Sequence, residues 1–544
     1  MAQRDQHIVK KSFRIGTGNA ETDDDYLFDC FIENDAMAEA TRVGSAGMIL
    51  SARTGAGKTA IIRMIRHRYE LHSEIDPARM AMDYVTNSDA LSFVQTIGGD
   101  LNLLFQVLWK HVICIEFVRL KYHIADEQKS RNIFQNIYAR FKNDPRRKRS
   151  LNYLQRWENK FWITMDENVK EITKQYEKDI AAEFGAELDN FKAGGQYQKR
   201  LSEGRKIELV TRFKKIVNAQ QLSDLSGVID ILSEDSEGEQ PEFILIDKLD
   251  ENWVDTSIRF KLIRALIESL RVFRNIRNLK LLVALRSDVL ERVVQETQDV
   301  SFQREKFDQY NIEIDWSSSE LFDLIDQRIS LLFKRKYTNE SVRFYDIFPP
   351  KIGGKDTFSY MLERTLMRPR DIISYVNEAI KKGAGRTELI PANVTKAAGP
   401  YSTIRRNAIE QEWLSAYPSL YNIIEMVKQF KKKSIKLREL RASDHLDNLA
   451  LEIAANEKVD YDPLFAHAIR AVDGAGPDQF SSEIVLILYR VGCVGVRFTD
   501  EHDLMYSHKD EPVISAGSLS DESAMRFHPM MVEALKLGPS QTPK

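Results

Sequence analysis

Short apolar runs alternate with longer amphipathic segments through much of this chain. Gly47–Ser51 is apolar and short enough to be a buried strand. Thr59–His72 follows, with Ile61, Ile62, Ile65 and Tyr69 at helical spacing. Met80–Val85 reads as a second strand and Leu101–Tyr122 as a long apolar helix. Further along, Phe243–Ile246 and Lys280–Leu285 are two more apolar runs, with the helix Ser257–Phe273 between them. Strand and helix in alternation predict a parallel α/β sheet.

The flanking regions have a different texture. Residues 1–25 are polar and end in the acidic run Glu21–Asp25, which reads as an exposed N-terminal segment. From 125 to 232 the chain is rich in Lys, Glu, Arg and Gln with aromatics interspersed, a pattern of charged helices without a sustained heptad. Ser233–Glu242 is acidic, contains Gly and Pro, and reads as an exposed loop. Helices dominate from Glu320 to about Gly383, and another helical region follows Gly399-Pro400. The chain ends in a β-rich Val494–Ile514 and a short helix, Pro529–Leu537. Boundaries are expected near 316 and 400.

Composition narrows the class without deciding it. The chain has 544 residues, 43% of them hydrophobic and 29% charged, which suits a globular protein with a large core. Lys and Arg number 78 against 81 Asp and Glu, so the net charge of −3 announces neither nucleic acid nor disorder. Three scattered cysteines make no disulfide framework or metal motif, and a reducing cytoplasm is the expected setting. The N-terminus lacks the continuous apolar stretch of a signal peptide, and no run approaches the ~20 residues of a membrane span.

The chemistry concentrates in two places. Ala52-Arg53-Thr54-Gly55-Ala56-Gly57-Lys58-Thr59 fits G-x-x-x-x-G-K-[ST] at every fixed position except the first, where Ala replaces Gly. Gly55 and Gly57 would let the backbone around Ala56 curl so that successive N–H groups face phosphate oxygens. A helix starting near Lys58 and continuing through Ala60 would add its N-terminal dipole. Lys58 would reach the β and γ phosphates of ATP, and the Thr59 hydroxyl would ligate Mg²⁺. Phe243-Ile244-Leu245-Ile246-Asp247 then runs four apolar residues into a carboxylate, the Walker B pattern, with Asp247 meeting the Mg²⁺. Asp250 or Glu251 could orient or deprotonate the attacking water.

The segment Phe243–Glu251 resembles the signal-transduction and KAP-like branch of P-loop NTPases, related to AAA+ proteins. Phe31 and the lead into the glycine turn, Leu285-Arg286-Ser287-Asp288, Met367-Arg368-Pro369-Arg370-Asp371, and Tyr401-Ser402 with Glu412-Trp413 resemble landmarks of bacterial P-loop ATPases often associated with DNA repair or phage defence. The resemblance covers most of the chain apart from 125–232. It implies that Arg286 senses the γ-phosphate and that Arg370 belongs to a lid motif touching nucleotide. Either arginine could instead serve a structural ion pair, with Asp288 or Asp371.

The expected architecture is an α/β P-loop NTPase core with a parallel sheet, built from 26–124 and 233–316. A large helical insertion at 125–232, a helical lid at 317–400 and a winged-helix-like C-terminal domain at 401–544 complete it. The expected function is an ATP-binding, slowly hydrolysing regulatory ATPase, a nucleotide-controlled switch in a defence or repair assembly. A non-hydrolysing, ATP-stabilised scaffold for a separately encoded effector is the alternative, and a DNA-stimulated motor ranks below both. A protein partner or a second copy is expected, and no membrane. Seven of the fourteen residues from Lys428 to Arg441 are Lys or Arg, which makes that stretch the candidate contact for nucleic acid.

Overall fold

The computed structural model describes residues 8–84, 101–124, 144–158, positions 160, 161, 163–165, 167, 168, 170, 171 and 174, then 219–234, 240–251, 253–296, 305–337, 342–456, 462–510 and 513–538. Most of the predicted insertion at 125–232 lies outside these residues. The chain divides into two compact units. One, the sheet unit, comprises Glu33–Arg53 and Lys58–Asp315; the other, the helical unit, comprises Met1–Ile32, Thr54–Gly57 and Trp316–Lys544.

The sheet unit is built on five parallel strands, β1 (Ile49–Ala52), β2 (His72–Ile75), β3 (Glu242–Ile246), β4 (Leu279–Arg286) and β5 (Asn311–Glu313). Their order across the sheet is β2-β3-β4-β1-β5. β3 is buried at every position and β4 at all but its last, as strands covered on both faces must be. The strands are parallel, so their carboxyl ends share one edge: β1 and β4 end together, Ala52 opposite Arg286, and β3 ends three positions earlier, Ile246 opposite Val283. The helices Asn102–Lys121 and Thr256–Phe273 pack together, and Trp109 Nε1 donates to Leu262 O at 2.9 Å.

One strand is not where the apolar pattern puts it. Met80–Val85 was expected as the second strand, but β2 is His72–Ile75, and Pro77–Tyr84 is a helix. Asp76 accepts from Ala78 N at 2.9 Å, and Pro77 supplies a preset φ at the first helical position. β2 ends the sheet's order, so it tolerates polar residues that a central strand would not. Ser233–Glu242 is likewise only in part a loop: a helix runs to Glu234, and Glu242 is buried as the first residue of β3.

The helical unit corrects two further expectations. Residues 8–25 are not an exposed lead-in. Val9, Phe13 and Ile15 are buried, and Phe13 packs edge-on against Phe333. Arg328 pairs with buried Asp23 at 2.6 Å and donates to Ile15 O at 3.0 Å. A polar segment is held here by satisfying its own backbone, which composition does not reveal. Nor does a boundary fall at 400, because Pro391–Trp413 is one helix running through Pro400. The proline removes one backbone donor, but Ala397, Ala398, Tyr401 and Ser402 are buried around it and hold the turn by packing.

A capping box, Ser317 with Glu320, starts the helix Ser318–Lys336. The helix Pro369–Lys382 packs along Pro391–Trp413, with Tyr375 and Tyr401 stacked at 4.6 Å. A two-stranded hairpin, β6 (Lys351–Ile352) and β7 (Lys355–Asp356), precedes them. The C-terminal part carries a three-stranded antiparallel sheet of β8 (Ser434–Lys436), β9 (Val494–Arg497) and β10 (Ala524–Phe527), in the order β8-β10-β9. Among the described residues of the β-rich Val494–Ile514, the first four form a strand, paired with β10 beyond that stretch, and Val496 also bridges Met505 within it. No helix among the described residues is long and apolar enough to cross a membrane.

Candidate functional site

In the sheet unit, the carboxyl edge of β1, β3 and β4 collects most of the candidate residues. Lys58, Thr59 and Ala60 open the helix Lys58–Arg68. Lys58 curls back so that its Nζ donates to Ala52 O at 3.1 Å. Burial lowers its pKa, and the nearby carboxylates of Asp250 and Asp247 act against that shift. Asp247 follows β3, is 8% exposed, and accepts from Lys248 N at 2.8 Å and from the Thr59 side chain. Its carboxyl pKa is raised, because burial outweighs those two hydrogen bonds and the charge of Lys58.

The chain then turns sharply. Lys248 has φ +65, a left-handed conformation unusual for a residue with a side chain. Glu251 N closes the turn onto Lys248 O at 3.2 Å, and Arg259 Nη1 donates to Glu251 O at 2.9 Å. This geometry separates the two carboxylates that adjoin in sequence. Asp250 faces Arg286 Nε at 3.8 Å, whereas Glu251 is exposed. Arg286 ends β4 and is gripped by both oxygens of Asp288, at 2.9 and 2.8 Å. Lys58, Thr59, Asp247, Asp250 and Arg286 thus come together, and Glu251 stands outside the group. No set of three or more His, Cys, Asp or Glu suited to a metal occurs among the described residues.

The tip of the glycine turn, Thr54–Gly57, groups with the helical unit. Gly55 has φ +83 and Gly57 φ +117, conformations for which glycine is the fitting residue, and Ala56 between them is buried. Arg370 lies against Gly55: a Cβ there would come within 2.9 Å of the Arg370 side chain. Arg370 Nε donates to Gly18 O at 3.2 Å. Asp371, the alternative partner expected for Arg370, is instead held by Arg368 at 3.2 Å and Arg405 at 3.1 Å.

Two residues that sequence reasoning did not single out also touch this turn. Arg368 Nη1 donates to Thr54 O at 2.6 Å, and Trp316 Nε1 to Ala56 O at 2.7 Å. The segment Arg-Pro-Arg-Asp holds two arginines, and spacing alone does not say which one reaches the turn. Trp316 carries no motif.

The basic stretch Lys428–Arg441 is not one helix face. It comprises the end of a helix at Lys428, a turn, β8 and the short helix Leu437–Arg441. Five of its seven cations have carboxylate partners: Lys428 with Glu425, Lys432 with Glu439, Lys436 with Asp500 and Glu522, Arg438 with Glu522, and Arg441 with Asp478 and Asp521.

Residues 319–410 match the FunZ-associated C-terminal helical domain. That span runs from the helix Ser318–Lys336 into Pro391–Trp413 and crosses position 400 without a break. The chain is also similar to the "Putative transposon gamma-delta 80.3 kDa protein" of Escherichia coli (strain K12), with 21% identity over 533 residues, 96% of this chain and 67% of that protein. No solved structure matches.

Proposed function

We propose that this chain is an ATP-binding, slowly hydrolysing regulatory ATPase of the P-loop class, of the KAP-like kind its motifs resemble. The observation that carries the reading is the convergence of Lys58, Thr59 and buried Asp247 at the carboxyl edge of a parallel sheet. Ligands of open α/β sheets bind at that edge. The N–H groups of Gly55–Thr59 cradle the phosphates, and Lys58 neutralises the β and γ oxygens.

Thr59 and Asp247 suit Mg²⁺. They offer hard oxygen donors already hydrogen-bonded to each other, and magnesium is commonly held by one or two carboxylates plus phosphates. When bound there, the ion would supply positive charge to neutralise the phosphate oxygens. Asp250, beside both Lys58 and Arg286, orients the attacking water, and Arg286 meets the γ-phosphate after yielding its hold on Asp288.

Nucleotide state then sets the helical unit, including its winged-helix-like C-terminal part, for a protein partner or a second copy. The neutralised basic stretch favours a protein dock there over a nucleic-acid contact. The likeness to a transposon-encoded protein is compatible with work at mobile DNA or in defence against it. A second reading, a non-hydrolysing ATP-stabilised scaffold, draws on the bidentate Arg286–Asp288 pair and the exposure of Glu251.

Lys58→Ala tests the site. It should abolish ATP binding, read by calorimetric titration, while the far-UV circular dichroism stays unchanged. Undiminished ATP affinity in that variant refutes the assignment. Steady phosphate release by the wild type, absent from Lys58→Ala, separates the switch from the scaffold.

A further inference from the structure

Three consecutive carbonyls of the glycine turn are each met by a donor from the helical unit to which the turn belongs. Arg368 Nη1 holds Thr54 O at 2.6 Å, Arg370 N holds Gly55 O at 3.4 Å, and Trp316 Nε1 holds Ala56 O at 2.7 Å. A trans peptide is planar, so the carbonyl of one residue and the N–H of the next point in opposite directions. Fixing the carbonyls of 54, 55 and 56 on one side therefore turns the N–H groups of Gly55, Ala56 and Gly57 to the other. Together with the left-handed φ of Gly55 and Gly57, this makes a concave row of amides, an anion nest.

Two of the three donors are side chains with strong support of their own. The Arg368 side chain is 4% exposed, and its guanidinium is braced by Asp371 at 3.2 Å and Glu412 at 3.7 Å. Trp316 packs against the hydrophobic core of the helical unit and presents its only polar atom to Ala56. The turn is thus shaped by tertiary contacts and not by its glycines alone.

We propose that Trp316 and Arg368 are positioning residues that preset the amide nest for a diphosphate group. This rests on the nucleotide reading above and assigns its phosphate selectivity a second origin besides Lys58. The nest amides face the α and β phosphates, which ADP and ATP share. Loosening the nest weakens both nucleotides alike, whereas a group directed at the γ-phosphate favours ATP alone.

The test is Trp316→Phe, which keeps an aromatic ring and removes the donor, measured with ATP and ADP by calorimetric titration on the full chain. Loss of one neutral hydrogen bond predicts an affinity about five-fold weaker for both nucleotides. Hydrogen exchange of the amides in 54–59 should quicken in the ligand-free variant. Arg368→Lys keeps the charge but loses the planar fork, and should weaken both nucleotides about ten-fold. Affinities of Trp316→Phe within two-fold of a wild type that does bind overturn the proposal and leave the nucleotide site standing. A loss confined to ATP also overturns it. A wild type that binds neither nucleotide removes the site reading and this proposal together.

Discussion

Ala52 and Arg286 stand directly opposite each other, the last residue of β1 against the last residue of β4. This pairing follows from β4 lying between β1 and β3, and it places a guanidinium midway between the strand that leads to Lys58 and the strand that leads to Asp247. No linear spacing contains that relationship, since the three segments are far apart in the chain. Parallel direction brings it about: β1 and β4 end level with each other and β3 ends three positions earlier, so the segments that follow all leave from one edge of the sheet.

The same edge discriminates between two adjacent carboxylates. Asp250 sits beside Arg286 and is coupled to Lys58, while Glu251 is exposed and its carbonyl, not its carboxylate, is held by Arg259. Asp250→Asn is expected to lower ATP turnover by about 10²–10⁴-fold with ATP binding retained. Glu251→Gln should leave turnover close to wild type. Phosphate release at saturating ATP decides it, and the reverse ordering would show that the turn at Lys248 rearranges before chemistry. Asp247→Asn should weaken Mg²⁺-dependent binding.

Two buried histidines make stability sensitive to acid. Burial pushes His111 down to about 3, and burial with help from Lys509 does the same to His528. His111 lies in the sheet unit, stacked on Phe161 and hydrogen-bonded to Tyr153, and His528 lies in the helical unit. Below about pH 6.5 the unfolded chain takes up a proton at each that the folded chain refuses. Stability is therefore fully present above that pH and falls as pH drops toward 3. Each should cost roughly 1 kcal/mol at pH 5.5. Urea unfolding at pH 7.5 and 5.5 measures this, and equal midpoints would mean that both rings are solvated.

What the sequence made legible follows a physical line. β1, β3 and β4 are central, so they had to be continuous apolar runs, and they lie where those runs put them. β2 ends the sheet and reads His-Ser-Glu-Ile, which no hydrophobic pattern marks as a strand. Pro400 looked like a boundary because proline disfavours helix interiors, yet burial of its neighbours overrides that local preference. Lys58, Asp247 and Arg286 were legible as candidates because each is a charged residue at or just after the end of an apolar run, and the fold brings them together at one sheet edge. Trp316 and Arg368 were not, because a hydrogen bond to a backbone carbonyl leaves no signature in the acceptor's sequence.

The basic stretch is expected to bind nucleic acid poorly. Lys428, Lys432, Lys436, Arg438 and Arg441 already have carboxylate partners, so a phosphate backbone would have to displace those carboxylates before counterion release could reward it. Filter binding at two salt concentrations should show no retention of duplex or single strand even at low salt. Retention with a log–log salt slope of about −3 to −4 would mean that three or four of these cations exchange partners, at about −0.9 per phosphate. Lys431, Lys432 and Lys433 changed together to Glu should then flatten the slope and weaken binding irrespective of sequence.

The buried charges behind Arg368 carry the sharpest stability prediction. Asp371 is 0% exposed and lies within 3.2 Å of Arg368 and 3.1 Å of Arg405, both nearly inaccessible themselves. Burial alone would raise its pKa, but the two guanidinium groups outweigh burial and hold it below the ordinary carboxylate range. Its contribution is therefore present above about pH 4 and lost as pH falls through the lowered value. Asp371→Asn removes the one anion that both arginines share while keeping an oxygen for the Leu366 amide that it accepts at 3.0 Å. Two cations then remain in a dry interior with Glu412 beside Arg368, and breaking such a pair costs about 3–5 kcal/mol. Urea unfolding should show that loss at pH 7. Because Arg368 also carries the Thr54 carbonyl, ATP affinity of the folded fraction should drop with it. A change below about 1 kcal/mol would mean that water enters and solvates the arginines, and that the network is less tightly sealed than its burial implies.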